Sequence, residues 1–499
     1  MKFRLPPNAF PPLELTREET RWLRDETQAV IAETMRVERQ FTTQDGRAVF
    51  PKDEWKQVRA REDFAVYKER RSKRPVPTKL GTTTVESSES SGVMHEPSVD
   101  SLATEDAATT TEAQTQRSNS TASGAWTSSS HEDDSIVGSM KEPHVPMLLA
   151  AGTVEGTLED TCFGSLAGDD IAWRMRTAYV KDKFADARIL AKIDGATPQD
   201  PFRSLCVKWF TKEIPALVGS FIQQRDFLII EATGMGEESD GTPYGYYMIH
   251  SVKLPGVPEL NDPDVIRCKV SLCFICRQLP GKSVHLFARG FSDARGNMIE
   301  KVGIALTAES IIAATLVTEC AYVKKLTWLM QKKQRARQQR QQRSLSVALP
   351  KECDSCHRPP KKFSLPPHLH TCQACGHMIC SKCTVQKRII VDITGDGVVD
   401  RSMTFCFGCV MEAKKIPAWD VAFDAINVDT FHRRTHTFRA TQSMGPIPPP
   451  VPSFERSQSL GVYSSGTPSS STHPLSTPAR RQTTVRPHSS KSVPGIVLY

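Results

Sequence analysis

The sequence predicts an α+β fold followed by a small cysteine-rich metal module, with long disordered segments inserted and appended. Three observations predict it. Runs rich in β-branched and aromatic residues at 227–230, 244–252, 265–275 and 284–288 are joined by short turns such as GTPYG and LPGK, the pattern of an antiparallel sheet. A helical stripe follows, in which Ile312, Leu316, Cys320, Val323, Leu326 and Met330 recur at 3–4 residue intervals. Eight of the 14 cysteines then crowd between Cys353 and Cys409.

Taken in order, residues 1–15 form a tail. Thr16-x-x-Glu19 reads as a capping box that opens a helix, with Leu23, Val30, Ile31 and Thr34 on its apolar face. The FAVY run at 64–67 reads as a strand. A disordered insert is expected at about 73–140, because residues 81–130 hold 22 Ser or Thr and almost no large aliphatic side chains. Such a segment cannot bury enough apolar surface to offset its ordering entropy. The folded part resumes near Met147 and continues through the strands to a long helix beginning near Thr307. Its stripe stops at Met330, and from Cys320 to Pro350 there are eight Lys or Arg and no acidic residue. Within it, the run Lys332 to Arg343 could touch nucleic acid or anionic lipid, and a solvated helix end is its plain reading. The α+β part spans 16–340, and a linker at 341–352 leads to the metal module at 353–412. Residues 413–440 form an extension with no assigned structure. The tail at 441–499 is disordered, holding ten of the 34 prolines.

Composition excludes several classes. The formal charge of +8 arises from 64 basic against 56 acidic side chains, so any basic surface is local. No uninterrupted apolar run has a membrane span's length; the nearest, 311–323, is short and contains Glu319. The MKFRLPPNAF start has prolines where a signal peptide needs an apolar core. A soluble cytoplasmic protein is expected, in which fourteen cysteines are not seven disulfides. The chain has no P-loop and no nucleophile elbow, and no enzyme activity is expected.

The cysteines between 353 and 409 form four C-x-x-C pairs: Cys353/Cys356, Cys372/Cys375, Cys380/Cys383 and Cys406/Cys409. Each pair sets two thiolates on one tight turn, half of a tetrahedral zinc shell. Eight thiolates suffice for two closed sites, hence two Zn2+ ions, and leave no position open for activating water. These zincs are expected to be structural. Cys273 and Cys276 share the spacing but lie in a strand run, where residues three apart face opposite ways, so they read as core. The Asp392-Ile-Thr-Gly-Asp396-Gly397 run lacks a calcium loop's final glutamate and reads as a glycine turn between the last two pairs.

Two resemblances follow from these residues. Trp55 and DFAVYKERR, LLAAGTVEG, VKWFT, RDFLIIEATG and the final AESIIAATLVTECAYVKKLTWLM resemble, in that order, a START-type lipid-binding domain over roughly residues 16–335. The resemblance implies a helix-grip fold with an apolar tunnel for one lipid or sterol. The central C-x2-C-G-x3-C-x2-C, with Phe363 nine residues before Cys372, resembles a FYVE-type finger. That resemblance implies a small two-zinc cross-brace, with pairs one and three on one zinc and pairs two and four on the other. The family's basic R-[RK]-H-H-C-R motif falls on His368-Leu369-His370-Thr371-Cys372-Gln373, and its arginine before the last pair falls on Thr404. The headgroup site is therefore degenerate. Leu365 takes the position that dips into a bilayer, and His368, His370, Lys387 and Arg388 are the candidate headgroup residues.

The sequence thus reads as a non-enzymatic peripheral membrane protein. A lipid or sterol is expected in the START-like cavity, an anionic membrane surface such as the endosome's at the finger, and protein partners on the disordered segments. A RING-like ubiquitin ligase is an alternative, although RING fingers place histidine among the middle ligands and here all eight are cysteine. A protein- or nucleic-acid-binding zinc module is another. Nucleic acid is the weaker partner, since the basic stretch has no interleaved aromatics beyond Trp328.

Overall fold

A computed structural model describes residues 3–6, 8–70, 135–182, 184–213, 223–262, 264–341, 352–359, 369–394 and 397–428. The expected tail at 441–499, and most of the expected insert and linker, lie outside the described residues.

Helix α1 (Arg17–Phe41) begins at the capping box, with the Thr16 hydroxyl accepting from Glu19 N and the Glu19 carboxylate from Thr16 N. Strands β1 (Trp55–Arg61) and β2 (Phe64–Glu69) follow. Beyond the undescribed stretch come α2 (Ile136–Met140), β3 (Leu148–Glu155), α3 (Leu158–Ser165), α4 (Asp170–Val180), β4 (Phe184–Asp194) and β5 (Ser204–Lys212). Next are β6 (Gln224–Glu237), β7 (Pro243–Ser251), the short β8 (Val265–Arg267), β9 (Lys269–Leu279) and β10 (Ser283–Asp293). Helices α5 (Glu300–Ala313) and α6 (Val317–Gln341) complete this part.

These strands form one sheet in the order β1-β2-β3-β10-β9-β7-β6-β5-β4, antiparallel along that path, with β8 parallel to the start of β6. Alternation along the strands builds a core on each face. Cys273 and Ile275 point toward α1 with Leu23, Val30, Ile31, Val207 and Trp209. Phe274 and Cys276 point the other way, with α3, α5 and α6, beside Phe163, Phe210, Phe227, Ile311 and Ala321. The strand C-x-x-C pair is thus divided between two cores, as its spacing implies.

Four details depart from the expectations. The folded part resumes at 135, not after 140: the buried Ser135 caps α2 and its hydroxyl donates to Glu33, which Arg289 Nη1 meets at 2.6 Å. A polar segment is ordered there because it completes a buried ion pair. The long helix starts at Glu300 and is broken by a 3-10 turn, Ala314–Leu316. Ile312, Cys320, Val323, Leu326 and Met330 are buried, while Leu316, within that turn, is only half-buried. By length and composition Glu300–Gln339 is apolar enough to cross a membrane, unlike the strict runs read from sequence; here its buried apolar side chains pack on the sheet and on the cysteine module. Finally, the extension after residue 412 is helical, in α7 and α8 below.

Where α3 crosses α6, Gly164 lies directly on the backbone of Val317, so close that a Cβ would stand 1.8 Å from the Val317 carbonyl oxygen. Only glycine permits that approach.

Candidate metal centres

The cysteine module consists of short elements: β11 (His370–Thr371), β12 (Met378–Ile379), a long hairpin of β13 (Thr384–Thr394) and β14 (Gly397–Cys406), then α7 (Phe407–Lys415) and α8 (Ala418–Val428). Thr394 pairs with Gly397 across the hairpin, and residues 395–396 of the expected glycine turn lie outside the described residues. Each cysteine pair has a local reason for its position. His357, at φ +54°, lets its N–H return to the Cys353 carbonyl at 2.8 Å. Gly376, at φ +80°, does the same for Cys372 at 2.8 Å. Cys383 ends a 3-10 turn that starts after Cys380. Cys406 caps α7, accepting from Cys409 N at 3.3 Å.

The fold gathers Cys353, Cys356, Cys380 and Cys383 into one group, and Cys372, Cys375, Cys406 and Cys409 into another. Pairs one and three meet, and pairs two and four meet. Within them, Cys356 Sγ and Cys380 Sγ are 3.8 Å apart, as are Cys375 Sγ and Cys406 Sγ. A disulfide needs about 2.05 Å, whereas a tetrahedron with Zn–S of about 2.3 Å has edges near 3.8 Å. The thiol sets therefore fit a divalent ion of zinc's size. Backbone N–H groups already point at the sulfurs, Cys380 N to Cys353 Sγ and Cys406 N to Cys372 Sγ, both 3.3 Å. Burial alone would raise the Cys353 thiol, but backbone N–H groups, Cys380 first and then Cys356 and Ser355, draw it down to about 6. Cys375, bonded to Cys372, is pushed up to about 11, and Cys372 is held far below the ordinary thiol range by Cys375 and Cys409. The second set is the deeper: three of its cysteines are buried, against one in the first.

The module is built onto α6. Val323, Leu326, Leu329 and Met330 share a core with Ile379, Ile389, Phe405 and Ala413. Tyr179 Oη of α4 donates to Arg388 O at 3.3 Å and accepts from Ile390 N at 3.2 Å. Helix α8 returns to the sheet side, where Ala418, Val421 and Ala422 join the core and the Trp419 ring stands edge-on to Phe202 at 5.6 Å.

Of the predicted membrane and headgroup residues, His370, Lys387 and Arg388 are described. Leu365 and His368 lie outside the described residues. His370 is half-buried in β11, paired in register with Ile379. Lys387 Nζ is engaged by Glu319 at 2.7 Å, and Arg388 Nε by Asp400 at 3.1 Å. In the basic run from Lys332, Lys332 and Arg335 are exposed and Lys333 and Arg337 half-buried, while Arg343 lies outside the described residues; the lysines earlier in the helix are held inside. Lys324 is buried and donates to the carbonyls of Phe163 and Leu166 at 2.7 and 3.1 Å. Lys325 is buried against Asp160 at 2.6 Å and the carbonyls of Lys414 and Ile416 at 3.1 and 2.9 Å. Lys332 Nζ stands 4.4 Å over the Trp328 ring. The partners of Lys324 and Lys325 come from distant segments, which spacing along one helix cannot reveal.

One cluster escaped the sequence reading. Between sheet and helices, Glu231 of β6 binds Arg176 of α4 (3.0 and 2.6 Å) and Lys208 of β5 (2.6 Å), all three buried. Arg176 also donates to Ser165 O and Lys208 to Ala167 O, each at 2.7 Å. Burial would raise the Glu231 carboxyl, yet Arg176 and then Lys208 hold it below the ordinary range. The available signal was a lone charge in each of two apolar strands, CVKWF and LIIEA. A cleft of about 190 Å³ lies on the opposite, α1 face of the sheet, between Arg24, Asp194, Arg203 and Tyr246.

No protein-family model matches the chain, and no curated protein matches it. Among solved structures, human StAR-related lipid transfer protein 5 is similar at 14% identity and a TM-score of 0.32, over 60% of this chain and 97% of that one. Human STARD10 is similar at 10% identity and a TM-score of 0.30, over 63% and 82%. The human StarD13 lipid transfer and protein localization domain is similar at 9% identity and a TM-score of 0.29, over 62% and 98%.

Proposed function

We propose that the protein binds one lipid or sterol between its sheet and the α5–α6 helix, and carries two structural zinc ions in the module built onto α6. The observation that carries the lipid reading is a polar island in an apolar shell. Arg176 stands over the Tyr247 ring at 5.1 Å and Lys208 over the Trp173 ring at 4.5 Å, both bound to Glu231, on the sheet face whose core includes Phe210, Phe227 and Ile229. Ligand sites combine such apolar walls with a few convergent polar groups that fix orientation. The island has two cations and one carboxylate, which favours a ligand whose polar end accepts hydrogen bonds. Support for zinc comes from the four-thiol sets and their tetrahedral edges. Because cysteine fills every position, the metals would support the fold and not activate water. The role is therefore one of binding, without catalysis.

Work at a cytoplasmic membrane surface belongs to the same proposal and rests on the sequence alone. With Lys387 and Arg388 committed to carboxylates, the module's contribution there is to hold α6 in place more than to read a headgroup. Native mass spectrometry of the full chain tests both halves together. The expected species carries two zinc ions and one co-purified or liposome-acquired lipid. Protein that stays lipid-free after incubation with mixed sterol and phospholipid vesicles would refute the lipid reading. A metal count other than two would refute the zinc reading.

A further inference from the structure

Past Met330 the polar residues of α6 turn toward the second thiol set. Lys333 Nζ donates to Cys409 Sγ at 3.5 Å and to Glu412 Oε2 at 2.5 Å. Gln334 Nε2 donates to the Gln373 carbonyl at 3.0 Å, inside the Cys372–Cys375 turn. Arg337 lies against the glycine that closes the same turn: a Cβ on Gly376 would stand 1.7 Å from Arg337 Nη1. Arg337 Nε is buried there and has no hydrogen-bond partner. Residues 333 and 337 are one helical turn apart and so share a face. Three side chains of one helix end thus meet both cysteine pairs of the second set.

Four thiolates around one divalent ion leave surplus negative charge, and this set is mostly buried. Buried anionic charge is costly unless paired and hydrogen-bonded. An ammonium donating to a ligand sulfur supplies both, and groups that orient metal ligands in this way strongly affect metal retention. We propose that Lys333, Gln334 and Arg337 form the outer shell of the second metal centre, with Lys333 the positioning cation that balances its thiolates. The sheet domain's own C-terminal helix then completes the metal site. This inference rests on the reading that the thiol sets hold zinc.

The test uses the zinc-loaded full chain, with the metal count from native mass spectrometry and the release rate from transfer to a chelating dye. Lys333→Met keeps the aliphatic stem and removes the charge, while Lys333→Arg keeps the charge. The expected result is one of two ions leaving Lys333→Met about 10–100-fold faster, the other at the wild-type rate, and slow release restored in Lys333→Arg. With cobalt in place of zinc, the thiolate-to-metal charge-transfer band should move for one ion in Lys333→Met. Two ions released at wild-type rates from Lys333→Met would overturn the proposal. Loss of both ions together with the helical circular-dichroism signal would also overturn it, by assigning Lys333 to folding. Wild-type protein that takes up no zinc would instead remove the metal reading on which the proposal stands.

Discussion

Glu231 binds two cations inside the sheet domain, and the other hydrogen bonds of Arg176 and Lys208 run to the neutral Ser165 and Ala167 carbonyls. Breaking a buried ion pair by removing one partner costs about 3–5 kcal/mol, because the remaining charge stays buried and unbalanced. Glu231→Gln should therefore lower the urea unfolding free energy by about that amount. Lys208→Met should cost less, because Arg176 still balances Glu231. Equal losses from both would show that the carboxylate is not the hub. His285 gives a second residue-scale expectation. Burial first, then repulsion from Arg277 and Arg47, lowers its pKa to about 4, and its Nε2 accepts from Ala48 N at 3.1 Å. The unfolded value is about 6.5. A lowered folded pKa contributes stability that is present above about 6.5 and is lost as pH falls toward 4, here on the order of 3 kcal/mol. In urea titrations across that window, His285→Gln should lose less stability than wild type. Parallel slopes would clear His285 of the effect.

At the scale of elements, legibility followed the locality of the cause. The capping box at Thr16 and the stripe through Cys320 to Met330 are set by residues a few positions apart, and both are present as read. The apolar runs became β6, β7, β9 and β10 for the same reason. The pairing of thiol sets is long-range and came from the resemblance, not from spacing. What stayed hidden depends on contacts across the chain. Lys324 and Lys325 look like solvated charge until α3's carbonyls and Asp160 are placed beside them. Helix α8 is short and follows a basic stretch, and its reason to form is a core far upstream in the chain, at Phe202. The α3–α6 crossing has the same character. Gly164→Ala would put a methyl 1.8 Å from Val317 O, and the backbones must separate to admit it. Overpacking of this kind costs about 1–3 kcal/mol or more. A fall in melting temperature is the expected readout, and an unchanged value would mean that the crossing is looser than described.

At the scale of the whole molecule, the sequence divides the chain at 341–352 into a sheet domain and a metal module. A core shared between the two parts couples them. Val323, Leu326, Leu329 and Met330 are buried by the cysteine module, on the helix that also covers the sheet. Full burial of one such side chain contributes about 1.5–3 kcal/mol, so the four together rival the 5–15 kcal/mol of an ordinary domain. Structural zinc is worth about 10–16 kcal/mol apparent per site, more than a module of this size supplies from its own core. Removing the metal should therefore unfold the module, expose the end of α6, and loosen the Lys325, Ile416 and Trp419 contacts that fasten α8 to the sheet side. Chelation of the full chain, or Cys372→Ser, should lower the melting temperature of the sheet domain as well as abolish the module. Calorimetry should show one main transition in zinc-loaded protein. Two separate transitions, with the sheet domain's temperature unmoved by chelator, would mean that the interface along α6 couples nothing, and the two parts would then act as independent domains after all.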